Sequence, residues 1–130
     1  MLKKQFDILI ADKNPHVREF LKREMTGAGY RVHLAVSGTQ VIRYASHHLP
    51  NILIVDPDLP DSDTLSLLKA LRDDLPHLPV IIHTFISDYA DHPDIFNTAV
   101  WVEKGESSAE RLKEAVAKLL LSADIKKETA

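Results

Sequence analysis

Two aspartates, a threonine and a lysine each stand where a short apolar run ends. Asp12 follows Ile8-Leu-Ile-Ala11, Asp56 follows Ile52-Leu-Ile-Val55, Thr84 follows Val80-Ile-Ile-His83, and Glu103 and Lys104 follow Ala99-Val-Trp-Val102. Lys13 and Asn14 come next after Asp12, and Pro57, Asp58 and Leu59-Pro60 after Asp56. Brought to one place, these side chains supply a carboxylate nucleophile, a hydroxyl donor and fixed positive charge. That set suits phosphoryl transfer. A carboxylate attacking phosphorus brings negative charges together, and cationic groups must offset them.

The residues share a surface only if the apolar runs are neighbouring strands. Continuous apolar runs at 7–11, 51–55 and 79–83, bounded by polar or turn residues, read as strands covered on both faces, and 30–36 alternates as an edge strand does. A fifth candidate covers 99–102. Amphipathic stretches separate them. Asn14 with Pro15 starts the first helix, and Val17, Phe20, Leu21, Met25 and Ala28 form its stripe before Gly27 and Gly29 stop it. Ser37 with Gln40, and Ser107 with Glu110, fit capping boxes for the second and last helices. A third helix runs from about Asp63 to the Leu75-Pro76 break, with Asp61 in a turn. The stretch Ser87 to Thr98 has no clean apolar stripe, so any helix there is short. Strict alternation of strand and helix predicts an α/β domain: a five-stranded parallel doubly wound sheet, order 2-1-3-4-5, with helices on both faces. Ligands of such sheets bind at the carboxyl edge, where the four residues stand.

At 130 residues the chain makes one domain, read as residues 1–122 with a polar tail or linker stump at 123–130. With no cysteine, disulfides and thiolate metal clusters are excluded. A net charge of −3 argues against direct nucleic-acid binding, and no apolar run approaches the ~20 residues of a membrane helix. A soluble cytoplasmic protein is expected. The seven histidines show no ligand spacing and read as surface residues, so no zinc site is expected.

The ordered set Ile8-Leu-Ile-Ala-Asp12, Ile54-Val-Asp56-Pro-Asp-Leu-Pro60, Val80-Ile-Ile-His-Thr84 and Val102-Glu-Lys104 resembles the receiver domain of bacterial two-component response regulators, a flavodoxin-like, chemotaxis-type fold. The likeness covers residues 6 to 121. It implies that Asp56 accepts a phosphoryl group from a histidine kinase or phosphotransfer protein as an acyl phosphate. By the same likeness Lys104 and Thr84 contact the phosphoryl oxygens. Asp12, Asp56 and the backbone carbonyl of Asp58 hold Mg2+, and Thr84 and Trp101 form the switch toward a downstream partner. A phosphoacceptor rather than an enzyme is implied, as a monomer or weak dimer.

Four positions depart from the family pattern. Lys13 replaces a second acid that binds the metal directly, which weakens the implied Mg2+ site; its ammonium could pair with Asp56 in the metal's place or turn to solvent. Phe85 replaces a small residue and could cover the pocket or pack sideways into the sheet. Trp101 replaces a Tyr or Phe. Gly105 replaces a proline, so the Lys104–Gly105 peptide is expected to be trans. The preferred reading is a phosphoacceptor signalling receiver. Its alternative is a pseudo-receiver interaction module without metal-dependent phosphorylation. A remote third is a small aspartyl-phosphate phosphatase, suggested by Asp56-Pro-Asp58, although Pro60 breaks that motif and the length leaves no room for a cap.

Overall fold

The computed structural model describes residues 5–61, 63–89 and 100–129. Its strands are β1 (Asp7–Ala11), β2 (Arg31–Ala35), β3 (Ile52–Val55), β4 (Val80–Thr84) and β5 (Val100–Glu103). Its α-helices are α1 (Pro15–Gly27), α2 (Gly38–His48), α3 (Thr64–Asp74) and α4 (Ser108–Thr129), with a short 3-10 turn at Ile86–Tyr89. All strand pairs are parallel, in the order β2-β1-β3-β4-β5. The predicted sheet is the observed one.

The continuous apolar runs serve two cores at once, because successive side chains of a strand leave on opposite faces. Ile8, Ile10, Ile52, Ile54 and Ile81 pack with Leu21 and Met25 of α1 and Leu112, Val116 and Leu120 of α4. Leu9, Ala11, Leu53, Val55 and Ile82 face the other way, onto Val41 and Ala45 of α2 and Leu67 and Leu71 of α3. Each fully buried Ile or Leu contributes about 1.5–3 kcal/mol relative to exposure. A one-residue slip of β1 or β3 would exchange the two faces, so the register is strongly specified.

Local signals set most helix ends. The Asn14 side chain accepts from the amides of His16 and Val17, Ser37 Oγ accepts from Gln40, and Asp63 accepts from Ser66. The last helix differs from the expected box: Glu110 turns to the Lys113 ammonium at 3.2 Å. α4 also continues to Thr129, through residues expected to form a loose tail. Polar helix formers such as Lys126, Lys127 and Glu128 extend a helix without any apolar stripe. One further expectation is corrected. Phe20, counted in the stripe of α1, is exposed and lies under the Arg23 guanidinium at 5.4 Å. α2 stops just before Pro50, with Leu49 as its cap in the left-handed conformation (φ 47). Beyond Tyr89, the expectation for Ser87–Thr98 lies outside the described residues.

Asp61 does more than turn the chain after β3. Its carboxylate accepts from Gly38 N at 2.6 Å, Thr39 N at 3.1 Å and Thr39 Oγ1 at 2.7 Å, tying the β3–α3 loop to the start of α2. The Thr39 hydroxyl, then the Gly38 and Thr39 amides, hold its carboxyl down at about 2. A depressed folded-state value contributes stability above the ordinary 3.8, lost as pH falls through about 2. In Asp61→Ala, amide exchange at Gly38 and Thr39 is expected to quicken several-fold, and the loss of stability between these pH values to shrink. Unchanged exchange at both amides would contradict this tie.

Candidate functional site

The sheet's own ladder brings the four residues together. Ala11 pairs in register with Ala35 and Val55, Val55 with Ile82, and Thr84 with Glu103. One step on, the ladder continues into the site. Asp12 N donates to Ala35 O at 3.3 Å, Asp56 N to Ala11 O at 2.9 Å, and Lys104 N to Thr84 O at 3.0 Å. The backbone of every charged residue at the base of the site is therefore held by strand pairing rather than by a free loop.

Lys104 Nζ lies 2.6 Å from Asp56 Oδ2 and 2.8 Å from Asp12 Oδ2. The other oxygen of Asp56, Oδ1, accepts from Thr84 Oγ1 at 3.2 Å and from Asp58 N at 3.0 Å. Asp12 is 2% exposed and Asp56 6%, so both carboxylates are removed from water and rely on these partners. Burial works against the Lys104 ammonium. Hydrogen bonds and charge from Asp12 and Asp56 outweigh it and raise its pKa above the ordinary lysine value. Asp12 is further fixed by Asn14 N on its Oδ1 at 2.9 Å and by Arg18 Nη1 on its carbonyl at 2.7 Å.

The rim is less constrained. Lys13 does not pair with Asp56: its ammonium bonds Asp58 Oδ2 at 2.6 Å in an exposed ion pair, the side chains being 53% and 61% exposed. Phe85 does not pack into the sheet. It is 52% exposed, with the Lys104 ammonium 5.8 Å from its ring centre. Trp101, level with Ile82 in the ladder, is half-buried and packs on the core under α2 and α3. The peptide after Lys104 is trans, as Gly105 implied.

His83 corrects the expectation of surface histidines. It is 3% exposed, and its Nε2 has no hydrogen-bond partner among the described residues. A strand-end histidine carries no sequence mark of burial; only its place between Ile82 and Thr84 in a doubly covered strand could have suggested it. Burial, then the charge of Lys104, push its pKa down to about 4 against the opposing pull of Asp56.

An ammonium shared by two buried carboxylates, at the carboxyl edge of a 2-1-3-4-5 sheet, is the layout of a signalling receiver. The response regulator receiver domain family matches residues 8–117, and the chain belongs to it. The virulence transcriptional regulatory protein PhoP of Salmonella typhimurium is 32% identical over 91 residues, covering 70% of this chain and 41% of that protein. The transcriptional regulatory protein PhoP of Escherichia coli K12 is 31% identical over 90 residues, covering 69% and 40%. The matched part thus spans about two-fifths of these curated relatives. Response regulator TrrA of Thermotoga maritima, solved in complex with Mg2+–BeF, superposes with TM-score 0.79 at 26% identity over 88% of this chain and 98% of that one. The signal receiver domain of a LuxO repressor protein from Vibrio parahaemolyticus shares the fold, with TM-score 0.83 at 22% identity over 97% and 98%. Receiver domains serve bacterial two-component signalling, typically through a phosphoaspartate, and typically bind Mg2+.

The residues here fit that cation poorly. Where the family places a second acid, Lys13 adds positive charge and occupies the Asp58 carboxylate. Lys104 occupies one oxygen each of Asp12 and Asp56. Among the described residues no cluster of three or more His, Asp or Glu side chains is arranged to hold a metal ion. A unit charge at 4 Å is worth about 1 kcal/mol in water and about 4 kcal/mol near a protein surface, so exchanging an acid for a lysine weighs heavily against a dication.

The depressed His83 value makes a pH prediction. Folded His83 stays neutral where the unfolded chain takes up a proton, so stability is intact above the ordinary 6.5 and declines until about 4. The expected loss is up to about 3 kcal/mol at 1.36 kcal/mol per pKa unit. Urea unfolding from pH 7 to pH 4 should show it in the wild type, and His83→Leu should flatten that slope. Equal slopes would contradict a buried neutral His83.

Proposed function

We propose that the chain is a phosphoacceptor switch, taking a phosphoryl group on Asp56 from a sensor histidine kinase or phosphotransfer protein in the cytoplasm. The observation that carries this reading is the Lys104 ammonium held on Asp56 beside the Thr84 hydroxyl. An oxygen of Asp56 attacks phosphorus, and the bond from phosphorus to the donor nitrogen breaks. Lys104 offsets charge on the incoming group as a point cation, while the Thr84 hydroxyl turns from Asp56 to a phosphoryl oxygen. That turn frees space at the end of β4, and Trp101, paired with Ile82 on the neighbouring strand, responds to it. The β5–α4 side then presents a changed surface to a downstream protein, the chain being a monomer or weak dimer. The residues assigned to Mg2+ by family likeness are Asp12, Asp56 and the Asp58 carbonyl.

A second reading, a pseudo-receiver that docks a partner without metal-dependent phosphorylation, is favoured by the Lys13–Asp58 pair and by Phe85 at the mouth. Incubation with a small phosphodonor and intact-mass measurement separates the two. A hydroxylamine-labile adduct is expected on the wild type and none on Asp56→Asn, with Lys104→Ala slowing its formation about a hundredfold. An adduct that survives the Asn change, or none under any condition, would refute the phosphoacceptor reading.

A further inference from the structure

We infer that the Lys13 ammonium, held on Asp58 at the rim of the site, takes the place of the divalent cation, so that Asp56 accepts a phosphoryl group without metal. This rests on the phosphoacceptor reading above and specifies how that site meets its need for positive charge. Three carboxylates (Asp12, Asp56 and Asp58) face two ammoniums, Lys13 and Lys104. An acid at position 13 would leave four carboxylates facing one ammonium, a strongly negative pocket that demands a dication. Lys13 removes that demand.

The backbone that carries Lys13 is held in place, while its side chain stays exposed. Asp12 closes a turn on the Asn14 amide, and Arg18 clamps the Asp12 carbonyl, so the loop after β1 directs residue 13 across the site to the loop after β3. There Lys13 meets Asp58, whose own amide donates to Asp56 Oδ1 at 3.0 Å. Lys13 is therefore held on the residue that itself bonds the acceptor carboxylate, close enough to feel the charge of Asp56, while Lys104 contacts Asp56 directly. Exposed ion pairs are weakly held, so the ammonium can leave the Asp58 carboxylate for a phosphoryl oxygen. In the step itself, an Asp56 oxygen donates an electron pair to phosphorus and the P–O bond forms as the donor's P–N bond breaks. The leaving nitrogen keeps that pair and takes a proton from water. Lys13 and Lys104 neutralise the phosphoryl oxygens from two sides.

The test compares wild type, Lys13→Asp and Lys13→Gln with phosphoramidate as donor, in EDTA and in Mg2+, by intact mass. Thermal melts with and without Mg2+ run in parallel. The wild type is expected to change its adduct rate by less than about twofold between the two conditions, and Lys13→Asp to require Mg2+ by at least about tenfold. Mg2+ should raise the melting temperature of Lys13→Asp and leave that of the wild type unmoved. Lys13→Gln, which cannot supply either charge, should lose the metal-free adduct. A wild-type adduct that forms only with Mg2+ overturns the inference and leaves the phosphoacceptor reading standing. So does a Lys13→Asp adduct equally fast in EDTA, which would show that residue 13 is not the substitute. An adduct on Lys13→Asp alone would make Lys13 a block and would overturn the inference and the phosphoacceptor reading of this chain together. No adduct on any of the three proteins removes the phosphoacceptor reading and the inference together.

Discussion

One ammonium between two buried carboxylates governs this structure. Lys104 spans Asp12 and Asp56, both almost wholly removed from water. A buried carboxylate left unpaired costs several kcal/mol, so the two acids can coexist at the sheet edge only with the lysine between them and donors on the remaining oxygens. Thr84 and Asp58 N supply those donors for Asp56, and Asn14 N supplies one for Asp12. The neutral, buried His83 fits the same electrostatics: with the Lys104 charge close by, a second cation at that strand end is disfavoured.

The rest of the fold works to hold that triad in place. Alternating Ile and Leu side chains bind β1 and β3 into two cores at once, which removes any freedom of register. Backbone pairing then extends one residue past each strand and fixes the main chain at Asp12, Asp56 and Lys104. What the scaffold does not fix is the rim. Lys13, Asp58 and Phe85 are half or more exposed, and Lys13 and Phe85 are two of the four positions where this chain leaves its family's pattern. A family site can thus keep its buried base while its charge balance is rewritten at the surface.

The strands and their order were legible because doubly covered strands have a local signature, an unbroken apolar run. The residues at the base of the site were legible because they end those runs. Side chains that choose among distant partners were not. The four-carbon stem of Lys13 reaches Asp56, Asp58 or solvent from one backbone position, and nothing in the sequence distinguishes these. Asp61 looked like turn chemistry, since its bond to the start of α2 joins residues more than twenty positions apart. Phe20 fell at helical spacing yet lies outside the core, because spacing marks a helix face without showing where its neighbours end. Residues 123–129 show the same limit, since polar composition does not separate a helix end from a loose tail.

The central claim, that Lys104 exists to hold Asp12 and Asp56 side by side, is tested most directly by a double-mutant cycle in urea. Lys104→Met should cost more stability in the wild type than in an Asp56→Asn background, with a coupling of about 0.5–3 kcal/mol. Equal costs in the two backgrounds would mean that the ammonium and the carboxylate do not interact, which would contradict the account at its base.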